Sequence, residues 1–308
     1  MAKKVLGIHI GEHRIICVEA KVGGNVVAEK IGIVPLPELA VVNGIIAKPK
    51  EVLEVMEGLL TRMEITTNNA IINIPPNLSL IKCIPYEENY LQLAEDQIKW
   101  ELSHHFNEPL DDYLISAFSL SMTTVLVGVR EESVQMRVSV AEKMGLSVLA
   151  TDPDPVALFN LFATFESSKP KKNYIITHIE VPFSSVVFFS KGDFWYGGHL
   201  FTPPELFGLG EGKRSWREFG EDLSTMLKLS VEAYRVFNPL FEPETVYFTG
   251  RKLPEDTAQS VSSQIGASIG DINDRLRKKN KLKPKKGTIE PQEGVIALGL
   301  AAHGSTLL

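Results

Sequence analysis

The chain has 308 residues, 44% of them hydrophobic and 23% charged, with a formal net charge of −6. That balance supports a sizeable core and two to three domains, excludes gross disorder, and gives no general drive toward nucleic acid. No run approaches the roughly 18–20 apolar residues that cross a bilayer as a helix.

The chain opens on three extended segments, Val5–Ile10, Ile15–Glu19 and Val26–Val34, separated by turns at 11–14 and 23–25. Strands joined by such short turns form an antiparallel meander. Cys17 lies in the second segment and Cys83 in a later apolar run, the setting of buried reduced thiols rather than a disulfide. The N-terminal apolar run is too short for a signal peptide, so a cytosolic protein is expected, with any membrane association through a partner or a surface contact.

From Pro49, residues Val52, Leu53, Met56, Leu59, Leu60 and Met63 recur on one helical face, and proline suits a first turn. Ala70–Ile74 then reads as a strand stopped by Pro75 and Pro76. Up to about Asp152 the pattern predicts a compact α+β insert. It comprises a strand at Leu80–Pro85, a helix at Leu91–His105, strands at Tyr113–Ser119 and Thr124–Val129, a helix ending at Gly145, and a strand at Leu146–Ala150. Asp154–Phe165 is a short apolar helix, followed by a polar hinge over 167–172.

The opening theme then returns as three strands, Tyr174–Ile179, Ser184–Phe189 and Phe194–Leu200. With His9 laid on His178, Leu6 falls on Ile175, Ile10 on Ile179 and Val18 on Val187. The repeated strand–turn order is the stronger sign of duplication. A helix at Phe219–Phe237, a strand at Thr245–Thr249 punctuated by Gly250, a basic loop over 275–286 and a small-residue helix at Glu293–Ala302 complete the chain. The aromatic run Phe194–Tyr196 is expected in the core rather than on a binding platform.

Two meanders, each followed by helices, with a strand–glycine–helix finish, resemble the duplicated actin/Hsp70/sugar-kinase architecture. Within it the chain is similar to the PilM family of type IV pilus assembly proteins, relatives of the cell-division protein FtsA. The residues that carry the resemblance are LGIHIG at 6–11 with Val18 and Glu19, GIIA at 44–47, and EDQIKWE at 95–101. They continue with PLDDY at 109–113, VGVR at 127–130, Gly145 and VIALGL at 295–300. The resemblance implies an α/β fold of actin-like (ribonuclease H-like) lobes. Residues 1–75 with 150–170 form the first lobe and 76–149 the inserted α+β subdomain. Residues 171–308 form the second lobe, with a helical subdomain around 203–242.

It also implies a nucleotide cleft between the lobes, lined by His9, Gly11, His178, Glu180, Thr249 and Gly250. Such clefts need small residues where phosphate meets backbone and carboxylates where a hard cation sits. Here the two carboxylate positions are His9 and His178, Glu180 stands at a glycine position, and Pro182 lacks an N–H. Imidazole is a poor ligand for Mg2+. The cleft therefore reads as degenerate: no cofactor is expected, and ATP with Mg2+ is the disfavoured alternative.

A zinc site between His9 and His178 has too few ligands, no Gly-x-Ser-x-Gly elbow supports a hydrolase, and Glu101, Asp111 and Asp112 read as a solvated helix face and cap. The basic segment lacks interleaved aromatics, which argues against nucleic acid and leaves a flexible loop or a contact to anionic lipid or an acidic partner. By resemblance, the expected function is a non-enzymatic scaffold that grips the cytoplasmic N-terminal tail of a PilN-like membrane protein. The groove walls would be the 80–85 strand, the 91–105 helix and the helix from Pro49. A type II secretion counterpart and a nucleotide-dependent actin-like switch are the alternatives.

Overall fold

The computed structural model describes residues 3–308 except 24, 87–94, 105, 107–108, 166–172, 191 and 281–289. β1 (Lys3–Ile10), β2 (Arg14–Val22) and β3 (Val27–Pro35) form the first meander. A small hairpin of β4 (Val41–Val42) and β5 (Ile45–Ile46) precedes α1 (Pro49–Met63) and β6 (Asn69–Ile74). That hairpin was not predicted from the sequence, because two-residue strands carry no periodicity.

Then come β7 (Ser79–Pro85), α2 (Glu95–Ser103), β8 (Tyr113–Ser119), β9 (Thr123–Arg130), α3 (Glu131–Glu142), β10 (Ser147–Pro153) and α4 (Asp154–Phe165). The second half contains β11 (Asn173–Ile179), β12 (Phe183–Ser190), β13 (Asp193–Phe201), α5 (Trp216–Arg235), β14 (Thr245–Gly250), α6 (Glu255–Ile265), β15 (Ser268–Ile269), α7 (Ile272–Asn280) and α8 (Val295–Leu307). Of the expected 91–105 helix, residues 91–94 and 105 lie outside the described residues, as do the 167–172 hinge and 281–286.

Both large sheets share one plan. The first runs β10-β6-β1-β2-β3 and the second β13-β12-β11-β14-β15. In each, an antiparallel meander adds two parallel strands beside its first strand. The superposition of His9 on His178 read from the sequence is thus also a superposition of strand positions, each histidine one residue before its strand ends.

The lobes are joined by an exchange of helices. α8, the last helix of the second half, lies on β1, β2 and β6, while α4, the last of the first half, packs on β12 as well as β10. Both helices are apolar nearly all round, and their side chains share one core with both sheets, as expected of buried helices. Contact is so close that a Cβ on Gly7 would meet the Ala297 carbonyl oxygen at 1.8 Å.

Three expectations need correction. α3 and the start of β10 were assigned to the insert, yet β10 pairs with β6, and Val140, Ala141 and Leu146 pack with residues of the first sheet and α1. The separate three-stranded sheet, β7-β9-β8, with α2 over β8, is the independent unit. The basic stretch was read as a loop, but Arg275, Arg277, Lys278 and Lys279 lie on α7, where Ile272, Leu276 and Asn280 turn inward. The density of charge hides the three-position inner stripe that makes it a helix. α6 shows no apolar stripe in the sequence for a different reason: it is made largely of small polar residues, and only Thr257, Val261 and Ser262 are buried.

Cys17 and Cys83 are buried free thiols, and burial pushes the Cys83 thiol up to about 12. Phe194 and Trp195 are buried, the latter stacked on Tyr234 at 5.1 Å.

Candidate functional site

β1 and β11 end side by side where the lobes meet, and this brings all six expected cleft residues into one region. His9 and His178 are each 1% exposed, and their ring centroids lie 6.2 Å apart at 72°. His178 Nδ1 lies 3.0 Å from Thr249 Oγ1, across the parallel β11–β14 ladder. Burial lowers the His9 imidazole to about 3 and His178 to about 4, despite the nearby Glu180 carboxylate. Both rings are therefore neutral at pH 7.

Gly11 makes the first turn, its N–H donating to the Arg14 carbonyl at 3.0 Å. Gly250 sits at the end of β14 with φ +76. The second turn belongs to Glu180, whose carboxylate is 5% exposed. Its Oε2 accepts from Arg14 Nη2 at 2.6 Å, and its Oε1 accepts from Arg251 Nε at 2.6 Å and from the Val181 N–H at 3.1 Å. Burial alone would raise this carboxyl; the guanidiniums of Arg14 and Arg251 outweigh it and hold the group well below the usual range. Arg14 also bonds Glu293 through Nη1, and Arg251 lies over the Phe207 ring at 5.2 Å.

A second buried chain of polar groups runs along the first lobe. The Ile10 N–H donates to Asn73 Oδ1 at 2.8 Å, and Asn73 Nδ2 donates to Asp154 Oδ1 at 2.9 Å. Arg137, 0% exposed, donates to the carbonyls of Asn73 and Gly44 at 2.9 and 2.8 Å. Burial raises the Asp154 carboxyl, which faces His9 Nε2 at 3.9 Å, to about 7.

The space that these groups leave is small. A depression lined by His9, Gly11, Glu12, Gly44, Asp154 and Glu180, among others, offers about 20 Å³ to the centre of a water-sized sphere. That is room for about one water molecule. Glu180 adds a buried carboxylate to this lining, and His9 contributes an imidazole rather than the hard oxygen that Mg2+ prefers. Among the described residues no group of three or more His, Cys, Asp or Glu is arranged to hold a metal ion.

The sequence pointed to Glu180 as a departure from a nucleotide site, and placed Arg251 directly after Gly250. It did not reveal that Arg14 and Glu293 converge on them, nor the roles of Asn73, Arg137 and Asp154. Elsewhere, His104 is exposed and lies against Trp100 at a centroid distance of 4.1 Å, while Asp111 and Asp112 are exposed turn residues.

Two sheets of identical plan, exchanged terminal helices and a cleft at the ends of β1 and β11 define a member of the actin-like ATPase fold class. A Bacteroides thetaiotaomicron protein of unknown function with that fold matches at 9% identity, with TM-score 0.56 over 91% of this chain and 93% of its own. The cytoplasmic domain of EpsL, an inner-membrane component of the Vibrio cholerae type II secretion system, matches at 11% identity, with TM-score 0.52 over 98% and 95%. A structure described as a PilM–PilN type IV pilus biogenesis complex matches at 17% identity, with TM-score 0.73 over 99% of both chains. No curated protein sequence matches. The family model for type IV pilus assembly protein PilM matches residues 7–185, more than half of the chain. The chain belongs to that family.

Proposed function

We propose that this chain is a cytoplasmic scaffold of a type IV pilus, or related type II secretion, inner-membrane platform. It binds the cytoplasmic tail of a PilN-like membrane protein and does not hydrolyse ATP efficiently. One observation carries this reading: in a chain of the PilM family, Glu180 with Arg14 and Arg251 fills the cleft that a working ATPase keeps open. Hydrolysis in such clefts needs metal-assisted charge stabilisation worth several kcal/mol, and His9 and His178 supply no hard oxygen.

The insert subdomain offers a surface for the tail. β7 is an edge strand of its sheet, the position at which an extended peptide adds. The same unit exposes Tyr86, Leu114 and Met122, and Trp100 is 64% exposed. Exposed tryptophan and tyrosine are frequent anchors of interfaces. Among the described residues no helix is long and apolar enough to span a membrane, so the partner supplies the anchor in this reading. The exposed Arg277, Lys278 and Lys279 on α7 add a contact to anionic lipid.

The test is calorimetric titration with two ligands. These are ATP–Mg2+ and the cytoplasmic tail peptide of a PilN-like membrane protein from the same organism. Saturable heat with the peptide and none with the nucleotide is expected. Tight ATP–Mg2+ binding with turnover, or no peptide binding, refutes the proposal.

A further inference from the structure

Two guanidiniums and one backbone N–H converge on a point between the sheets. Arg14 reaches Glu180 Oε2 through Nη2 at 2.6 Å and Nε at 3.3 Å, while Arg251 Nε and the Val181 N–H reach Oε1 at 2.6 and 3.1 Å. Arg14 belongs to β2 of the first sheet; Arg251 follows β14 of the second. The donors therefore come from both lobes.

Each cation is also held by something other than Glu180. Glu293 bonds Arg14 Nη1. Arg251 is stacked over Phe207, and its N–H donates to the Ile179 carbonyl at 2.8 Å. The donor set is thus preorganised without the carboxylate. Guanidinium forks bind planar and tetrahedral oxyanions alike. The small cavity beside them is lined by Glu180 itself, so removing that side chain enlarges it at the point where the donors aim.

We propose that Arg14, Arg251 and the Val181 N–H form an oxyanion site, of the phosphate and carboxylate class, whose ligand is the chain's own Glu180, and that this tethered ligand clamps the two lobes together. The carboxylate is one residue beyond β11, which gives it a high effective concentration. The clamp therefore holds with no ligand from solution. This inference does not depend on tail docking, and a chain that binds no tail still has the clamp.

Glu180→Ala is the test, by thermal denaturation in chloride, phosphate and acetate at matched ionic strength. The variant should lose on the order of 5–10 °C, as expected when one partner of a buried charge cluster is removed. Phosphate or acetate should restore part of that loss saturably, beyond the general salting-out stabilisation that the wild type shows in the same salts. The double variant Glu180→Ala/Arg14→Ala should not respond. Glu180→Gln keeps the shape and fills the site with an amide; it should be destabilised yet insensitive to phosphate, which keeps the clamp testable if Glu180→Ala does not fold. A Glu180→Ala protein whose midpoint responds to phosphate no more than the wild type overturns the oxyanion site. A Glu180→Ala or Glu180→Gln protein as stable as the wild type overturns the clamp.

Discussion

Replacing Gly250 by alanine separates two reasons for finding glycine at that position. By resemblance it is a remnant of a nucleotide site; in the fold it meets a local requirement of its own. Its φ is +76, and an added Cβ would lie 2.3 Å from the Ile179 carbonyl oxygen and 2.9 Å from His178 Cε1. The left-handed conformation costs an L-residue about 1–2 kcal/mol, and forcing an extra carbon into a packed site adds roughly 1–3 kcal/mol. Here the obstructing atom is backbone, and that same oxygen accepts the Arg251 N–H that positions the guanidinium on Glu180. Gly250→Ala should therefore lose about 3 kcal/mol or more, read as a lowered urea midpoint at unchanged slope. Gly58→Ala is the control: Gly58 is inside α1 with open space around its Cβ position, and the change should gain about 0.5–1 kcal/mol. A Gly250→Ala protein within about 1 kcal/mol of wild type, against a Gly58→Ala control that behaves as stated, refutes the reasoning.

Arg137→Met should cost about 2–4 kcal/mol in chemical denaturation, because the Asn73 and Gly44 carbonyls lose their donors inside the protein; a neutral result would mean that water or backbone movement replaces them. Stability should fall as the pH drops below about 6.5, because His9 and His178 remain neutral in the fold but take protons when unfolded. Asp154, raised to about 7, opposes this: its folded form holds a proton that the unfolded chain has lost, so its contribution declines as pH rises through about 7. Two imidazoles against one carboxyl leave a net acid loss, and His178→Gln should flatten the slope of urea midpoint against pH between 6 and 4.5. Trp100→Ala should leave the thermal midpoint within a degree or two, since an exposed side chain contributes little to folding, while weakening tail-peptide binding roughly tenfold or more. Anionic vesicles should retain the wild type in sedimentation more than neutral vesicles do, and the triple change of Arg277, Lys278 and Lys279 to alanine should abolish the difference.

Much of the architecture is legible without coordinates because it rests on short-range patterns. Alternating apolar runs and tight turns predict both meanders, and the step from His9 to His178 marks the duplication that the two sheet orders bear out. α1 starts at Pro49, as its first-turn proline and apolar face require. Where such patterns are weak the reading slips. α7 looks like a loop because its charges outnumber its three inward positions, and α3 was grouped with its sequence neighbours although Val140 and Ala141 pack on the first lobe.

The sequence by itself also determined which residues stand at the ends of β1 and β11: two imidazoles and, just past the second, a glutamate, where the resemblance leads one to expect a glycine. What Glu180 does there was decided only by tertiary structure. Its partner Arg14 is 166 residues away and its partner Arg251 is 71. No periodicity encodes such a meeting; it follows from the chain path that sets one lobe's hairpin against the other's. The same holds for Glu293, brought to Arg14 from just ahead of a helix that crosses between the lobes. Local patterns place a side chain on a strand or a face, whereas the compensation of a buried charge depends on groups that only the folded chain brings within hydrogen-bond reach.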